Sequence, residues 1–213
     1  MYGRTRRART GSPTCAARRG TPSSHVPAEG RTIADIEVRD AVAADHAAVL
    51  ALNNSATPHV NALSDVEFAW IASHASYFRV AVDRMGLAAF VIALKPGLDY
   101  WSLNYRWFSG RGGEFIYLDR IVVDARARGT GVGRAMYDDL DRFASGKWPR
   151  ITLEVNLLPP NPGSLAFHER LGFKRVGVRE EEGGAKAVAL MERPVPPPQR
   201  WPAFLFRSPQ RGD

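Results

Sequence analysis

The stretch that decides the fold is Phe115 to Ala144, FIYLDRIVVDARARGTGVGRAMYDDLDRFA. It opens on an apolar, β-branched run from Phe115 to Val123, passes a charged turn from Asp124 to Arg128, and reaches Gly129-Thr130-Gly131-Val132-Gly133 before a helical pattern. Val132, Ala135, Met136, Leu140, Phe143 and Ala144 recur at intervals of three and four, while Arg134, Asp138, Asp139, Asp141 and Arg142 fill the other face. The reading is strand, glycine loop, helix, with one side of the helix packed on a sheet. Glycines let the backbone bend and approach a ligand closely, and the first turn of a helix presents unpaired N–H groups with partial positive charge. That arrangement suits an anion, a phosphate above all.

Spacing excludes the two commonest phosphate loops. A P-loop needs Gly-Lys-Ser/Thr, and here Gly133 is followed by Arg134-Ala135. A dinucleotide fingerprint needs a third small residue at an offset that falls on Arg134 or Met136. What remains, Arg128-Gly129-Thr130-Gly131-Val132-Gly133, resembles the acetyl-CoA signature of the GNAT N-acetyltransferase superfamily, Arg/Gln-x-x-Gly-x-Gly/Ala. A second stretch, Asn161 to Phe173 (NPGSLAFHERLGF), resembles the later motif of that family, in which an Asn opens a helix and the segment closes at Leu-Gly-Phe. The resemblance covers about residues 33 to 193 and implies an α/β fold: a mixed, splayed sheet of six or seven strands flanked by about four helices.

Composition sets the bounds around that centre. The chain has 213 residues, enough for one domain with tails. No apolar run is long enough to span a bilayer. The single cysteine, Cys15, supports neither a disulfide framework nor a cysteine metal site, so a reducing, cytoplasmic setting is the expectation and no metal is. The formal charge is +7, but residues 1–32 carry seven Arg against one Glu and residues 194–213 carry three Arg against one Asp, which leaves the middle at −1. A nucleic-acid groove needs basic residues on a folded face, so only a role for the basic arms survives, and nucleic acid is not the expected partner. Three parts follow: a basic extension at 1–32 expected to be unfolded, a transferase domain at 33–193, and a Pro-rich tail at 194–213 whose Trp201, Phe204, Leu205 and Phe206 could dock on the domain or on a second copy in a homodimer.

Along the domain, Ile33 to Arg39 reads as a strand and Asp40 to Asn54 as a helix. A second helix runs from about Ser64 to Ser76, where Ser64 and Glu67 make a capping box. Tyr77–Val82 and Leu87–Leu94 read as strands joined by a tight connection. Lys95 to Gly113 reads as a long loop carrying Trp101, Tyr105, Trp107 and Phe108, aromatics that could wall a substrate site or pack as a flap on the sheet. Arg150–Val155 forms a strand, a helix follows Asn161, and Phe173–Arg179 with Ala185–Glu192 make a final hairpin.

The resemblance implies the chemistry: acetyl transfer from acetyl-CoA to a primary amine by direct attack in a ternary complex. Ile121, Val122 and Val123 would face the pantetheine arm, with Arg128, Gly129, Gly131, Val132, Gly133 and Arg134 around the pyrophosphate. Asn161 would contact the cofactor and also serve as an N-cap before Pro162. For the base, Glu154 is the first candidate because its setting, Leu153-Glu154-Val155, resembles that of the ribosomal-protein N-terminal acetyltransferases, although the spacing to the later motif is two residues longer. Asp119 is the rival, and either acid could instead pair with Arg120 or Arg150. His168 stands where the family commonly has Tyr, and an imidazolium there could protonate the leaving thiolate. Asn53, Asn54, His59 and Asn61 are candidate contacts for the acceptor, whose identity the sequence leaves open: small amines and peptide amines both fit. A catalytically weak acyl-CoA-binding module and a transferase for another acyl group are the alternatives.

Overall fold

The computed structural model describes residues 36–198. The expectations for residues 1–32 with Cys15, for residues 33–35 of the first strand, and for Trp201, Phe204, Leu205 and Phe206 of the tail lie outside them, whereas the start of the tail is described and Pro194 ends the last strand. Seven strands form one sheet in the order β1-β2-β3-β4-β5-β7-β6: β1 (Glu37–Asp40), β2 (Tyr77–Asp83), β3 (Gly86–Leu94), β4 (Ile116–Val123), β5 (Arg150–Leu158), β6 (Lys174–Glu181) and β7 (Lys186–Pro194). Every neighbouring pair is antiparallel except β4 and β5, which run parallel. Five helices flank the sheet: α1 (His46–Ser55), α2 (Asp65–His74), α3 (Leu103–Gly110), α4 (Val132–Ala144) and α5 (Pro162–Arg170).

Strand β3, between β2 and β4, is buried from Ala88 to Leu94, and its alternation divides the core in two. Ala89, Val91 and Ala93 join the cluster that holds Met136, Tyr137 and Leu140 of α4; Phe90, Ile92 and Leu94 join the cluster that holds Val49, Phe68, Ile71, Tyr105 and Phe108 of the first three helices. The sheet is therefore covered on both faces, and α4 buries Val132, Met136, Tyr137, Leu140 and Ala144 along one side. Not all of its acidic face is free in solvent. Asp139 accepts from the Tyr77 hydroxyl at 2.8 Å, and Asp141 accepts from Arg193 at 2.6 Å, which clamps the helix at both flanks.

Three element boundaries differ from the sequence reading. The stretch from Asp40 to Asn54 is not one helix: Asp40 ends β1 opposite Arg79, Ala43–Asp45 makes a single 3-10 turn, and α1 begins at His46. The long loop between β3 and β4 contains α3, capped by Ser102, whose Oγ accepts from the Tyr105 amide. Aromatic residues lower helix propensity in this segment, but Asn104, Tyr105 and Phe108 are buried together and tertiary packing overrides it. Finally, β5 continues to Leu158 through a bulge between Asn156 and Leu158, past the Val155 end expected from the sequence. The capping box at α2 forms as read: Ser64 Oγ accepts from the Glu67 amide while Glu67 accepts from the Ser64 amide at 2.8 Å.

Candidate active site

The parallel pair is where the site opens. β4 and β5 match only at Ile116↔Ile151 and Tyr117↔Thr152, after which the strands part, while β4 stays joined to β3 as far as Val123. The gap is a cavity of about 910 Å³ between the two strands, the α4 N-terminus and α5. All of the residues singled out in the sequence as catalytic or cofactor-binding line it, including Asp119, Ile121, Val122 and Val123 from β4, Glu154 from β5, and Asn161 and His168 from the later motif.

At one end stand the glycines. Gly129 and Gly131 have φ of +78° and +92°, and Gly131 is the N-cap of α4, so the chain turns through a left-handed conformation just before the helix. The first intrahelical bond runs from Ala135 N to Gly131 O, which leaves the amides of Val132, Gly133 and Arg134 without helical partners. Gly133 has a separate reason to be small: a Cβ there would lie 3.2 Å from the Phe167 ring of α5. Arg128 and Arg134 line the same end, joined by Arg170 from the last turn of α5, a position inside the later motif to which the resemblance assigns no role. Bent glycines, unpaired amides and three guanidiniums fit a pyrophosphate-bearing carrier.

The middle of the cavity holds the candidate base. The Tyr117 hydroxyl donates to Glu154 Oε2 at 2.5 Å. Burial pushes the Glu154 carboxyl up from 4.5 to about 7, opposed by the Tyr117 hydrogen bond and assisted by the nearby charge of Asp119. Asp119 is differently placed. One of its oxygens accepts from Tyr100 at 2.6 Å and the other from Arg120 Nε at 2.6 Å, and Arg120 Nη1 donates in turn to the buried Asn53 at 2.9 Å. That chain of bonds makes Asp119 an anchor for β4 and α1.

The sequence suggests an imidazolium at His168, and its surroundings favour the neutral ring. Its Nδ1 lies 2.7 Å from the Ser164 carbonyl, which can only accept, so Nδ1 carries the proton and Nε2 accepts from the Tyr137 hydroxyl at 2.7 Å. Burial drives its pKa down from 6.5 to about 4. The ring is a neutral link between α5 and α4. Asn161 caps α5 through its side chain, which accepts from the Ser164 amide at 3.2 Å.

The four candidate acceptor contacts separate into two pairs. Asn53 and Asn54 hold the loop after α1 from beneath, through the Asn61 and Leu63 carbonyls and the Leu63 amide, whereas His59 and Asn61 line the cavity. The aromatic segment divides likewise: Tyr105 and Phe108 are core, Trp107 packs over Gly177, and Trp101 lines the cavity. Among the described residues no group of three or more His, Cys, Asp or Glu could hold a metal ion, and no helix is long and apolar enough to cross a membrane.

The profile of the Acetyltransferase (GNAT) family matches residues 48–173, more than half of the chain. The chain belongs to the GNAT family. Its matched span takes in the glycine loop, Glu154 and the Asn161–Phe173 motif. Solved structures agree in fold at low identity. The ribosomal-protein-S18-alanine N-acetyltransferase from Escherichia coli is 20% identical with a TM-score of 0.59, over 79% of this chain and 99% of that one. Ard1 from Thermoplasma volcanium is 18% identical with a TM-score of 0.60, over 76% and 98%. Arabidopsis thaliana Naa50 in complex with the bisubstrate analogue CoA-Ac-MVNAL is 14% identical with a TM-score of 0.58, over 75% and 98%. No curated protein matches this GNAT chain in sequence.

Proposed function

We propose that this protein is an acetyl-CoA-dependent N-acetyltransferase acting on a primary amine by direct attack, with Glu154 as the general base. The observation that carries the reading is the single cavity that joins the Gly129–Gly131 bend to the Glu154 carboxyl through the gap between β4 and β5. Acetyl-CoA would supply the activated acyl group as a thioester. Gly129, Gly131 and the first amides of α4 would bind its pyrophosphate with Arg128, Arg134 and Arg170 around them, and the β4 backbone from Ile121 to Val123 would pair with the pantetheine arm. The fold relative that holds CoA-Ac-MVNAL carries both substrates in one molecule, which supports simultaneous binding.

The remaining work belongs to this chain's own side chains. An amine attacks only when its nitrogen is neutral, so a proton must leave it, and a carboxylate with a pKa of about 7 is poised to take one near neutral pH. Tyr117 steers the carboxylate: its hydroxyl donates to it, and burial holds the phenol proton on well above the ordinary range. Asp119 and Arg120 hold β4 in place rather than exchanging protons. Holding amine and carrier together in one cleft adds the effect of proximity and orientation.

Thiol release from acetyl-CoA with a panel of primary amines tests this reading. Glu154→Gln is expected to lower turnover by about 100-fold or more, the range of a general base. Full turnover in that variant, or no heat of CoA binding to the folded protein, would overturn it.

A further inference from the structure

The end of the cavity away from the glycines is built unlike the rest, and it carries a statement about the acceptor. The indole of Trp101 is 42% exposed yet packed against two other rings, 4.7 Å from Tyr100 and 5.0 Å from Trp70. Trp70 and Tyr100 are themselves stacked at 5.4 Å with 9° between their planes, and the Tyr100 hydroxyl is tied to Asp119. Leu103, 54% exposed, follows on the first turn of α3. Seven large hydrophobic residues are exposed among the described residues, and of these only Trp101 and Leu103 line the cavity. A fixed aromatic wall that stays wet loses contact with water when a flat apolar group covers it.

The wall stands beside the base. Ser102, the next residue after Trp101, places its Oγ 3.4 Å from the Tyr117 hydroxyl, which donates to Glu154. Charge at this end selects further. Glu67, Asp119 and Glu154 line it, and its two cations are engaged, Arg120 by Asp119 and Asn53, and Lys186 by Asn61 at 2.7 Å. The Lys186 bond and the bond from Asn156 Nδ2 to the Pro58 carbonyl strap the loop after α1 to β7 and β5 over this end.

We infer that the acceptor is a small arylalkyl primary amine without a carboxylate, its ring laid against Trp101 and Leu103 and its nitrogen directed to Glu154. The inference rests on the N-acetyltransferase reading for the role of Glu154, but the binding of the amine is measurable without turnover. Calorimetry of the full chain with 2-phenylethylamine, n-propylamine, phenylalanine and a pentapeptide beginning with phenylalanine is the test, with thiol release from acetyl-CoA run in parallel. Phenylethylamine is expected to bind about tenfold more tightly than each of the others, the scale of one aromatic contact plus its buried area. In Trp101→Ala and in Leu103→Ala, both surface changes, its margin over n-propylamine is expected to shrink to about twofold. Equal affinity for the ringless amine, tighter binding of the peptide or of phenylalanine, or an undiminished margin in both variants would overturn the inference. Selective binding of phenylethylamine with no thiol release would sustain this site while overturning the transferase reading.

Discussion

Tyr117 and Glu154 sit on adjacent parallel strands, and the phenol donates to the carboxyl at 2.5 Å at the level where those strands begin to separate. The hydrogen bond favours the ionised carboxyl, while burial favours the neutral one, and burial is the larger effect. The ionised form is the active one, so kcat/KM is expected to fall as pH drops through about 7. Tyr117→Phe removes the donor and should move that limb upward by about one pH unit, the size of a hydrogen bond to a charged group. An unmoved limb in an active variant would separate Tyr117 from the base.

Glu154 also sets a trade between stability and activity. Its folded pKa is raised from 4.5 to about 7, so its contribution to stability is fully present below 4.5 and is lost as pH rises through 7, where a charge must be kept in a buried place. Glu154→Gln keeps the acceptor for Tyr117 and never ionises. At pH 8 it should be more stable than the parent by up to about 3 kcal/mol, or several degrees in melting midpoint. At pH 4 the two midpoints should converge. An offset independent of pH would show that ionisation of this carboxyl is not what the fold resists.

His168 has the opposite sign. Its folded pKa is depressed to about 4, so the stability it contributes is present above 6.5 and is lost as pH falls from 6.5 towards 4. His168→Phe should flatten that part of the stability profile and cost about 1–3 kcal/mol at pH 7 by leaving the Tyr137 hydroxyl and Ser164 carbonyl unpaired. Turnover at the optimum should stay within about tenfold, because a neutral ring bonded at both nitrogens supplies no proton. A far larger loss with the melting midpoint preserved would restore it as a proton donor.

The glycines should separate by function. Gly131→Ala forces a side chain into φ of +92°, at a cost of about 1–3 kcal/mol, and should weaken CoA binding by about tenfold in calorimetry. Gly133→Ala instead presses on Phe167 and should lower the melting midpoint, with Phe167→Leu restoring part of the loss. Failure of that rescue would mean that the contact between α4 and α5 is not why the residue is glycine.

How far the sequence could be read depended on whether the signal was local. The Ser64–Glu67 box, the strand before Gly129 and the amphipathic period of α4 each involve residues within a few positions of one another, and all three were legible. α3 was not, because its segment is rich in weak helix formers and is held by packing of Tyr105 and Phe108 against β4 and its neighbours. Arg170 lies inside the later motif and Trp101 in the aromatic segment, but that these two of their neighbours reach the cavity is decided by the approach of distant elements.

The order of motifs in this chain determined by itself the strand, the bent glycine loop and the helix that begins there, since backbone geometry and periodicity are encoded over a few residues. The protonation states were decided by the tertiary structure alone. Glu154 and His168 look equally ready for acid–base work in the sequence, but the fold surrounds one with a donor at a cavity wall and fastens the other between two helices, and desolvation moves their pKa values in opposite directions because it penalises whichever form is charged.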